Sequence, residues 1–502
     1  MTRTHAANVF WSGSEAAISA SLSFASAFIV ARLVGPAEVG IGASVVAVHV
    51  LLWVTVNALF ADALVQRSAL DNTTFSSAVV ASIAVGCVAA LAQAGAGQPL
   101  RWSLTDHRLI AMSLLLAVPL PLVGAAGPVQ GLLTRNRAYK ALALRTVVGQ
   151  GLGTLVGIAS ALSGAGAWAL VWQQFVISGA GALALLVRCP ERPGHTISWP
   201  RLCELLRIGV PLTASTLVYH GRYRLFALLI GGTAGAAALG QVHMAFRLID
   251  AVRELAFTAQ WRLMLPVLSE RQHDLPGLHA AMDRCLAWSS RVVFPLCAAM
   301  AVAIQPLVAL LLGPVWQPSG GAALPLVALA AWLFLAFPAG VAVVACGVPR
   351  YTLIANIAGT TATALGVLLI RPATPLHAVL VWLGAQAFIS PYVLFANARV
   401  LGTTPLRPLR AGMTMFATSL LATAVAFAMP QLASHAWLLV LRLSIVASIC
   451  VPIAVLTAVP NGGLASTRRA TRWALSLCVS VANNLAQSHR DRRFSGGSGP
   501  AQ

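Results

Sequence analysis

The segment IGVPLTASTLVYHGRYRLFALLIGGTAGAAALGQVHMAFRLIDAVRELAFTAQWRLMLP, residues 208 to 266, decides how the rest of the chain is read. It holds two apolar runs, each near the ~20 residues that a membrane-crossing helix needs, joined by a Gly/Ala turn around Gly235. It also carries Arg222, Arg224, Arg247, Asp250, Arg253 and Glu254. At a rise of about 1.5 Å per residue, Arg222 and Arg224 fall roughly 21 to 24 Å into the first run, at or just past the centre of a hydrocarbon core about 30 Å thick. Asp250, Arg253 and Glu254 fall near the middle of the second run. Ionisable groups at that depth are expensive and are tolerated where they face a bundle interior or a watery cavity.

Arg247, Asp250 and Glu254 follow an i, i+3, i+7 spacing and share one helical stripe, with Arg253 beside it. Two arrangements satisfy the pattern. In one, the charges of the two helices neutralise each other and serve only to orient them. In the other, the surplus of Arg over acid, four to two, faces water and attracts an anion, with guanidinium gripping phosphate bidentately. The second assigns Arg222, Arg224, Arg247 and Arg253 to substrate binding in a central cavity, and leaves Asp250 and Glu254 to ion pairing or ion coupling.

Working outward, 58% of the 502 residues are hydrophobic and only 9% are charged, against about 25% charged in soluble domains. The expectation is an all-α polytopic membrane protein. Thirty-three Lys and Arg against thirteen Asp and Glu give a net charge of +20. In a soluble protein that excess would point to nucleic acid; here the basic residues punctuate apolar runs, so the charge reads as topology and no nucleic-acid partner is expected. The eight cysteines (Cys87, Cys189, Cys203, Cys285, Cys297, Cys346, Cys450 and Cys478) form no CxxC and no Cys/His spacing for a metal. They read as packing thiols. The chain has no small-residue cleavage site after a short apolar core, with Glu15 interrupting the region, so the first span is expected to be retained.

About fourteen spans fit the length rule. Every second loop is basic, including Arg67, then Arg135, Arg137, Lys140 and Arg145, then Arg188, Arg192, Arg201 and Arg207, then Arg271 and Arg284, whereas the other set is nearly empty. By the positive-inside rule both termini are cytoplasmic. Gly35-Pro-Ala-Glu-Val-Gly40 after span 1 and Gly235-Ala-Ala-Ala-Leu-Gly240 after span 7 are the same G-x-A-x-[VL]-G turn two hundred residues apart. Six spans separate them, so the halves keep one orientation, and transporters built on such parallel repeats place their site between the halves near midplane. The expected organisation is an N-terminal lobe of six spans and a linker (1–207), a C-terminal lobe of six (208–410), two further spans (411–460) and a basic cytoplasmic tail (461–502). Glu15 lies in span 1 and Asp62 at the inner end of span 2. Each is either an ion-coupling carboxylate or a partner for a nearby Arg. His49, His220 and His243 read as hydrogen-bonded packing groups, and Pro119/Pro121 as a kink. Gln150, Gln173, Gln174 and Asn356 are polar groups able to meet a sugar or to bond between helices.

Three segments carry a resemblance. ARLVGPAEVGIGASVV (31–46) with ADALVQRSALDNTTFSSAV (61–79), LLTRNRAYKALALR (132–145) with GAGAWALV (164–171), and LIGGTAGAAALGQVHMAFRL (229–248) with RLMLPVLSE (262–270) together resemble the polysaccharide-export branch of the multidrug/oligosaccharidyl-lipid/polysaccharide exporter superfamily, the Wzx-type flippases. The matching positions are Arg32, Gly35 to Gly40, Gln66, Arg67, Arg247, Arg262 and Pro266. The resemblance implies two six-helix lobes plus two helices working by alternating access. It also implies a cationic cavity that moves an undecaprenyl-diphosphate-linked oligosaccharide, without a cofactor beyond a coupling H+ or Na+, in company with membrane lipids, a polysaccharide polymerase and a chain-length regulator. Family members often carry acidic residues where this chain has Asn57 and Phe226, which leaves the coupling residue open.

Competing readings are a polysaccharide polymerase or ligase, a drug/cation antiporter and a lipid II flippase of the same superfamily. An enzyme of the first kind needs an extracytoplasmic loop bearing catalytic groups, and the longest outer stretch expected here, Gln98 to Arg108, offers Arg101, Asp106, His107 and Arg108. An antiporter cavity for cations should be acidic or apolar, not rich in Arg. No GxxxxGK[ST] phosphate loop is present, so the reading is of transport driven by ion gradients or substrate flow.

Overall fold

The computed structural model describes residues 3–67, 70–189, 191, 194, 197–348, 350–428 and 435–458; the expected basic tail, 461–502, lies outside them. All regular structure among the described residues is helical. The longer elements are α1 (Arg3–Val34), α2 (Pro36–Gln66), α3 (Asn72–Leu104), α4 (Arg108–Ala117), α5 (Leu120–Arg135), α6 (Tyr139–Leu162), α7 (Trp168–Leu186), α8 (Trp199–Ser269), α9 (Leu275–Leu307), α10 (Gln317–Ala345), α11 (Arg350–Ile370), α12 (Pro375–Leu401), α13 (Arg410–Ala428) and α14 (His435–Ala458). Eleven stretches of the described residues are long and apolar enough to cross a membrane, and the shorter apolar helices Ile18–Val34 and Leu439–Val455 accompany them. The chain is an all-α multi-pass membrane protein. Large apolar side chains such as Val88, Leu91, Leu155, Leu369 and Phe388 stand more than half exposed, as lipid-facing positions must when the surrounding solvent is itself apolar.

Sequence chemistry sets the helix ends. α2 starts with Pro36 at its first helical position, where the missing N–H is no loss. Pro119 and Pro121 separate α4 from α5 inside the single span Arg108–Arg135, because proline withholds the donor that would carry the helical ladder through. α9 is capped by Asp274, whose side chain accepts from the Gly277 amide. The 71 residues of α8 divide at Gly235. With α4 and α5 counted as one and α8 as two, the described residues hold the fourteen helical segments expected from the sequence.

The two turns of the sequence repeat share one backbone conformation: Gly35 has φ 85° and ψ 165°, Gly235 φ 84° and ψ 174°. That region of φ/ψ space belongs to glycine, since a Cβ there collides with the backbone. The turns also pack on each other. A Cβ added to Gly40 would lie 1.8 Å from the Ala236 carbonyl oxygen, and one added to Gly240 would lie 1.9 Å from the Pro36 carbonyl oxygen. The contact is reciprocal, each glycine meeting the residue that opens the other helix. Small residues let helix backbones approach in this way within a membrane. Further along, Gly209 of α8 abuts the Leu59 carbonyl of α2, so the part of α8 before Gly235 runs antiparallel to α2.

Two compact units emerge. The first comprises Met1–Arg247, Leu311–Ser319 and Asn356–Gln386. In it α6 packs on α7 and α1, and α5 lies against α2 and α3, around a core that includes Phe60, Phe75, Leu120 and Leu205. A second core joins Val45, Leu109, Met112 and Val171. The other unit comprises Leu248–Leu310, Gly320–Ala355 and Ala387–Gln502. Within it α9 packs on α13 and α14, Leu268, Leu278, Met282 and Leu401 form a core, and Phe257, Phe334, Phe294 and Phe416 stack in edge-to-face steps of 5.5 to 6.0 Å.

Candidate functional site

In the first unit, Arg222 projects from α8 against α11 and α12. Its Nη2 donates to Gln386 Oε1 at 2.6 Å and to Thr363 Oγ1 at 3.4 Å, and its guanidinium lies 4.8 Å from the Trp382 ring centroid. Gly359 makes room for it, since a Cβ there would stand 3.0 Å from the guanidinium carbon. Phe226 and Phe246 wall the other side of Trp382, at 5.0 and 5.3 Å between ring centroids. Arg222 Nε is buried without a hydrogen-bond partner, and no carboxylate lies within ion-pair distance of Arg222 among the described residues. Two residues further on, Arg224 lies over the Tyr223 ring at 5.4 Å, while the Tyr223 hydroxyl and His243 Nδ1 share a hydrogen bond of 3.1 Å. Arg247 donates to both the hydroxyl and the carbonyl oxygen of Ser23 on α1.

The sequence-defined charged cluster is thus divided. Arg222, Arg224 and Arg247 fall in the first unit, and Asp250, Arg253 and Glu254 in the second. Asp250 and Arg253 are brought together as an i, i+3 ion pair of 2.7 Å, each side chain about a third or more exposed. The side chain of Glu254, like that of Arg262, lies outside the described residues. Asp250 thus has Arg253, the residue beside the expected stripe, as its ion-pair partner.

Of the two remaining carboxylates, Glu15 on α1 accepts from Thr146 Oγ1 at 2.5 Å and Asp62 is exposed on α2 with no ion pair among the described residues. Arg67 pairs with Glu204 at 2.7 Å, and Arg32 Nη1 donates to the Leu311 carbonyl at 2.9 Å. The stretch expected as the longest outer loop is helical as far as Leu104. Only residues 105–107 link it to α4, and they leave no room for a catalytic loop. Asp106 and Glu38 are both engaged by Arg108 at 2.7 to 2.8 Å, and the Glu38 carboxylate also takes the Ala167 amide at 2.7 Å. The Arg108 guanidinium holds the Asp106 carboxyl below the usual carboxylate range.

Sequence reasoning placed Arg145 in a basic loop, whereas it sits two turns inside α6. It donates to Gln130 Oε1, which also accepts from Asn57 Nδ2 at 3.1 Å, and it lies 5.7 Å from the Trp53 ring centroid. These groups adjoin a cavity of about 230 Å3 enclosed by α2, α5, α6 and α7 and lined by Trp53, Asn57, Arg145, Thr146, Gln150 and Ser178, among others. Ser178 is fixed by His49 at 2.9 Å, so that histidine does the packing work expected of it. The spacing could have revealed the cavity: Trp53 and Asn57 are four apart, as are Thr146 and Gln150, which puts each pair on one helix face.

Arginines and amides thus lie among the apolar helices of a multi-pass membrane protein. A family described as polysaccharide biosynthesis protein matches residues 29–320, more than half of the chain, and the chain belongs to that family. The succinoglycan biosynthesis transport protein ExoT of Rhizobium meliloti (strain 1021) is 22% identical over 314 residues, which are 62% of this chain and 64% of that relative. The match thus spans less than two thirds of the relative's length. Among solved structures, the lipid II flippase MurJ in an inward closed conformation aligns with a TM-score of 0.71 at 11% identity, covering 89% of this chain and 98% of that one. An inward-facing multidrug resistance MATE family transporter of the MOP superfamily aligns at 0.56 and 15% identity, over 81% of this chain and 94% of the other. At such identities the likeness is one of fold. The polysaccharide part of the resemblance holds at the level of the family.

Proposed function

We propose that the protein is a flippase that carries an undecaprenyl-diphosphate-linked oligosaccharide from the cytoplasmic to the outer leaflet of the bacterial inner membrane, for exopolysaccharide or O-antigen synthesis. The observation that carries this reading is Arg222: a guanidinium among Trp382, Gln386 and Thr363 with no carboxylate to neutralise it among the described residues. An unneutralised cation inside apolar helices is expensive unless an anion visits it, and a lipid-borne diphosphate is such an anion. Arg224, Arg247 and Arg253 are the further cations assigned to the head group. Transport proceeds by alternating access between lobes 1–207 and 208–410, followed by the pair of helices in 411–460, with both termini and the tail 461–502 in the cytoplasm. The cycle draws on H+ or Na+ through a carboxylate, Glu15, Asp62, Asp250 or Glu254, and makes and breaks no covalent bond. A polymerase and a chain-length regulator take the product onward.

The family description and the transport role in the name of ExoT support the polysaccharide assignment over a drug antiporter, whose cationic cargo an Arg-bearing site would repel. The decisive test is reconstitution. Proteoliposomes loaded with a fluorescent undecaprenyl-diphosphate oligosaccharide should show protein-dependent loss of leaflet asymmetry. A drug cation moved in its place, with the lipid left where it started, would overturn the assignment.

A further inference from the structure

Resting on the flippase reading, we infer that the cavity enclosed by α2, α5, α6 and α7 is a subsite for a single uncharged sugar ring of the lipid-linked glycan, separate from the arginines that meet the diphosphate. Its size fits. A water needs roughly 10 to 15 Å3 of such space, so about 230 Å3 has room for a pyranose ring with its hydroxyls.

The lining fits as well. A sugar hydroxyl donates and accepts at once, while a ring's C–H face is apolar, and recognition therefore needs amides and hydroxyls around an aromatic plate. Trp53 supplies the plate. Asn57 and Arg145 are already fixed by a shared acceptor, Gln130 Oε1, so their remaining N–H groups are aimed before a ligand arrives. Gln150 lines the same space, and its amide has no hydrogen-bond partner among the described residues. Thr146 and Ser178 add hydroxyls.

Charge separates this place from the Arg222 region. The Glu15 carboxylate takes the hydroxyl of Thr146, which lines the cavity, at 2.5 Å, so an anion stands behind the wall that also carries Arg145. A carboxylate so placed disfavours a dianion and leaves neutral hydroxyls as the fitting ligand. Arg222 has no such counter-charge among the described residues, and the two places divide the substrate between head group and sugar.

The experiment uses the full-length protein in nanodiscs. The methyl glycosides of glucose, galactose, mannose and N-acetylglucosamine are titrated by saturation-transfer NMR, and undecaprenyl diphosphate without sugar is followed by native mass spectrometry. At least one glycoside should bind the wild type with a Kd of about millimolar order. Gln150→Ala and Gly181→Leu should each weaken that binding by about tenfold or more. Gly181 borders the cavity, and a Cβ there meets nothing closer than Arg145 at 3.9 Å, so its leucine fills the space with no change at a polar group. Undecaprenyl diphosphate binding should change in neither variant, and should fall in Arg222→Ala. Absence of glycoside binding to the wild type, or binding indifferent to both substitutions, overturns the sugar subsite while the flippase reading stands. Failure of the wild type to bind undecaprenyl diphosphate overturns the flippase reading, and the glycoside arm still decides the subsite.

Discussion

Replacing Arg222 by alanine should stop transport and leave the protein inserted and folded, and the structure gives the sizes of the opposing terms. The substitution removes a charge-assisted hydrogen bond of 2.6 Å to Gln386, of about 1.5 to 3 kcal/mol. It also removes the contact 4.8 Å above Trp382, of about 0.5 to 2 kcal/mol. Against this loss of roughly 2 to 5 kcal/mol stands relief from holding a guanidinium at membrane depth, about 2.5 to 3.5 kcal/mol on insertion scales. The two nearly cancel. Each lost contact to a phosphate, by contrast, is worth about 1.5 to 3 kcal/mol, or roughly 10- to 150-fold in binding. Flipping of a fluorescent undecaprenyl-diphosphate oligosaccharide in proteoliposomes should therefore fall by at least about tenfold, with the melting temperature little changed. Arg222→Lys, which keeps the charge and loses the planar fork, should fall between. Transport within about twofold of wild type in a well-folded Arg222→Ala would refute the reasoning, as would a loss of folding large enough to explain the defect.

Three further outcomes follow from the fold. Gly40→Ala drives a Cβ into the Ala236 carbonyl at 1.8 Å, with rigid backbone on both sides, so it should lower the melting temperature and abolish export, whereas Gly95→Ala on α3, with open space around it, should be silent in both assays. Gly235→Ala forces a side chain into φ 84° and should cost about 1 to 3 kcal/mol, read as a shift in the denaturation midpoint; Gly35→Ala should cost the same, and unequal costs would deny that the two turns are equivalent. Asp106, in the link between α3 and α4, has its carboxyl held low by Arg108. A depressed folded value contributes stability that is complete above the unfolded value of about 3.9 and is lost as pH falls through the folded one. The loss in melting temperature caused by Asp106→Asn should then be full at neutral pH, begin to shrink as pH falls below about 4, and vanish only below the folded value; an equal loss at neutral and at strongly acid pH would show that the charge plays no part.

Much of this architecture is legible in the sequence because a membrane restricts the backbone to a few solutions. Length and apolarity alone place the spans, and the shared turn at Gly35 and Gly235 is visible as a repeated motif before its dihedral angles are known. The site is less legible. The partners of Arg222 lie 141 and 164 residues away along the chain, and no local pattern announces them. Arg145 reads as a topological charge because it continues the basic run of Arg135, Arg137 and Lys140, whereas the helix begins at Tyr139 and carries it inward. Asp250 and Arg253 satisfy each other over a single turn, and a stripe drawn through Asp250 and Glu254 by spacing alone misses that local pairing.

The reciprocal contact of Gly40 with Ala236 and Gly240 with Pro36 is, in form, the interface of a symmetric dimer folded into one polypeptide. Each turn offers the other the surface it itself presents, and that surface is bare peptide. A change to either glycine is therefore felt by both helices, so neither copy of the turn is free to drift alone.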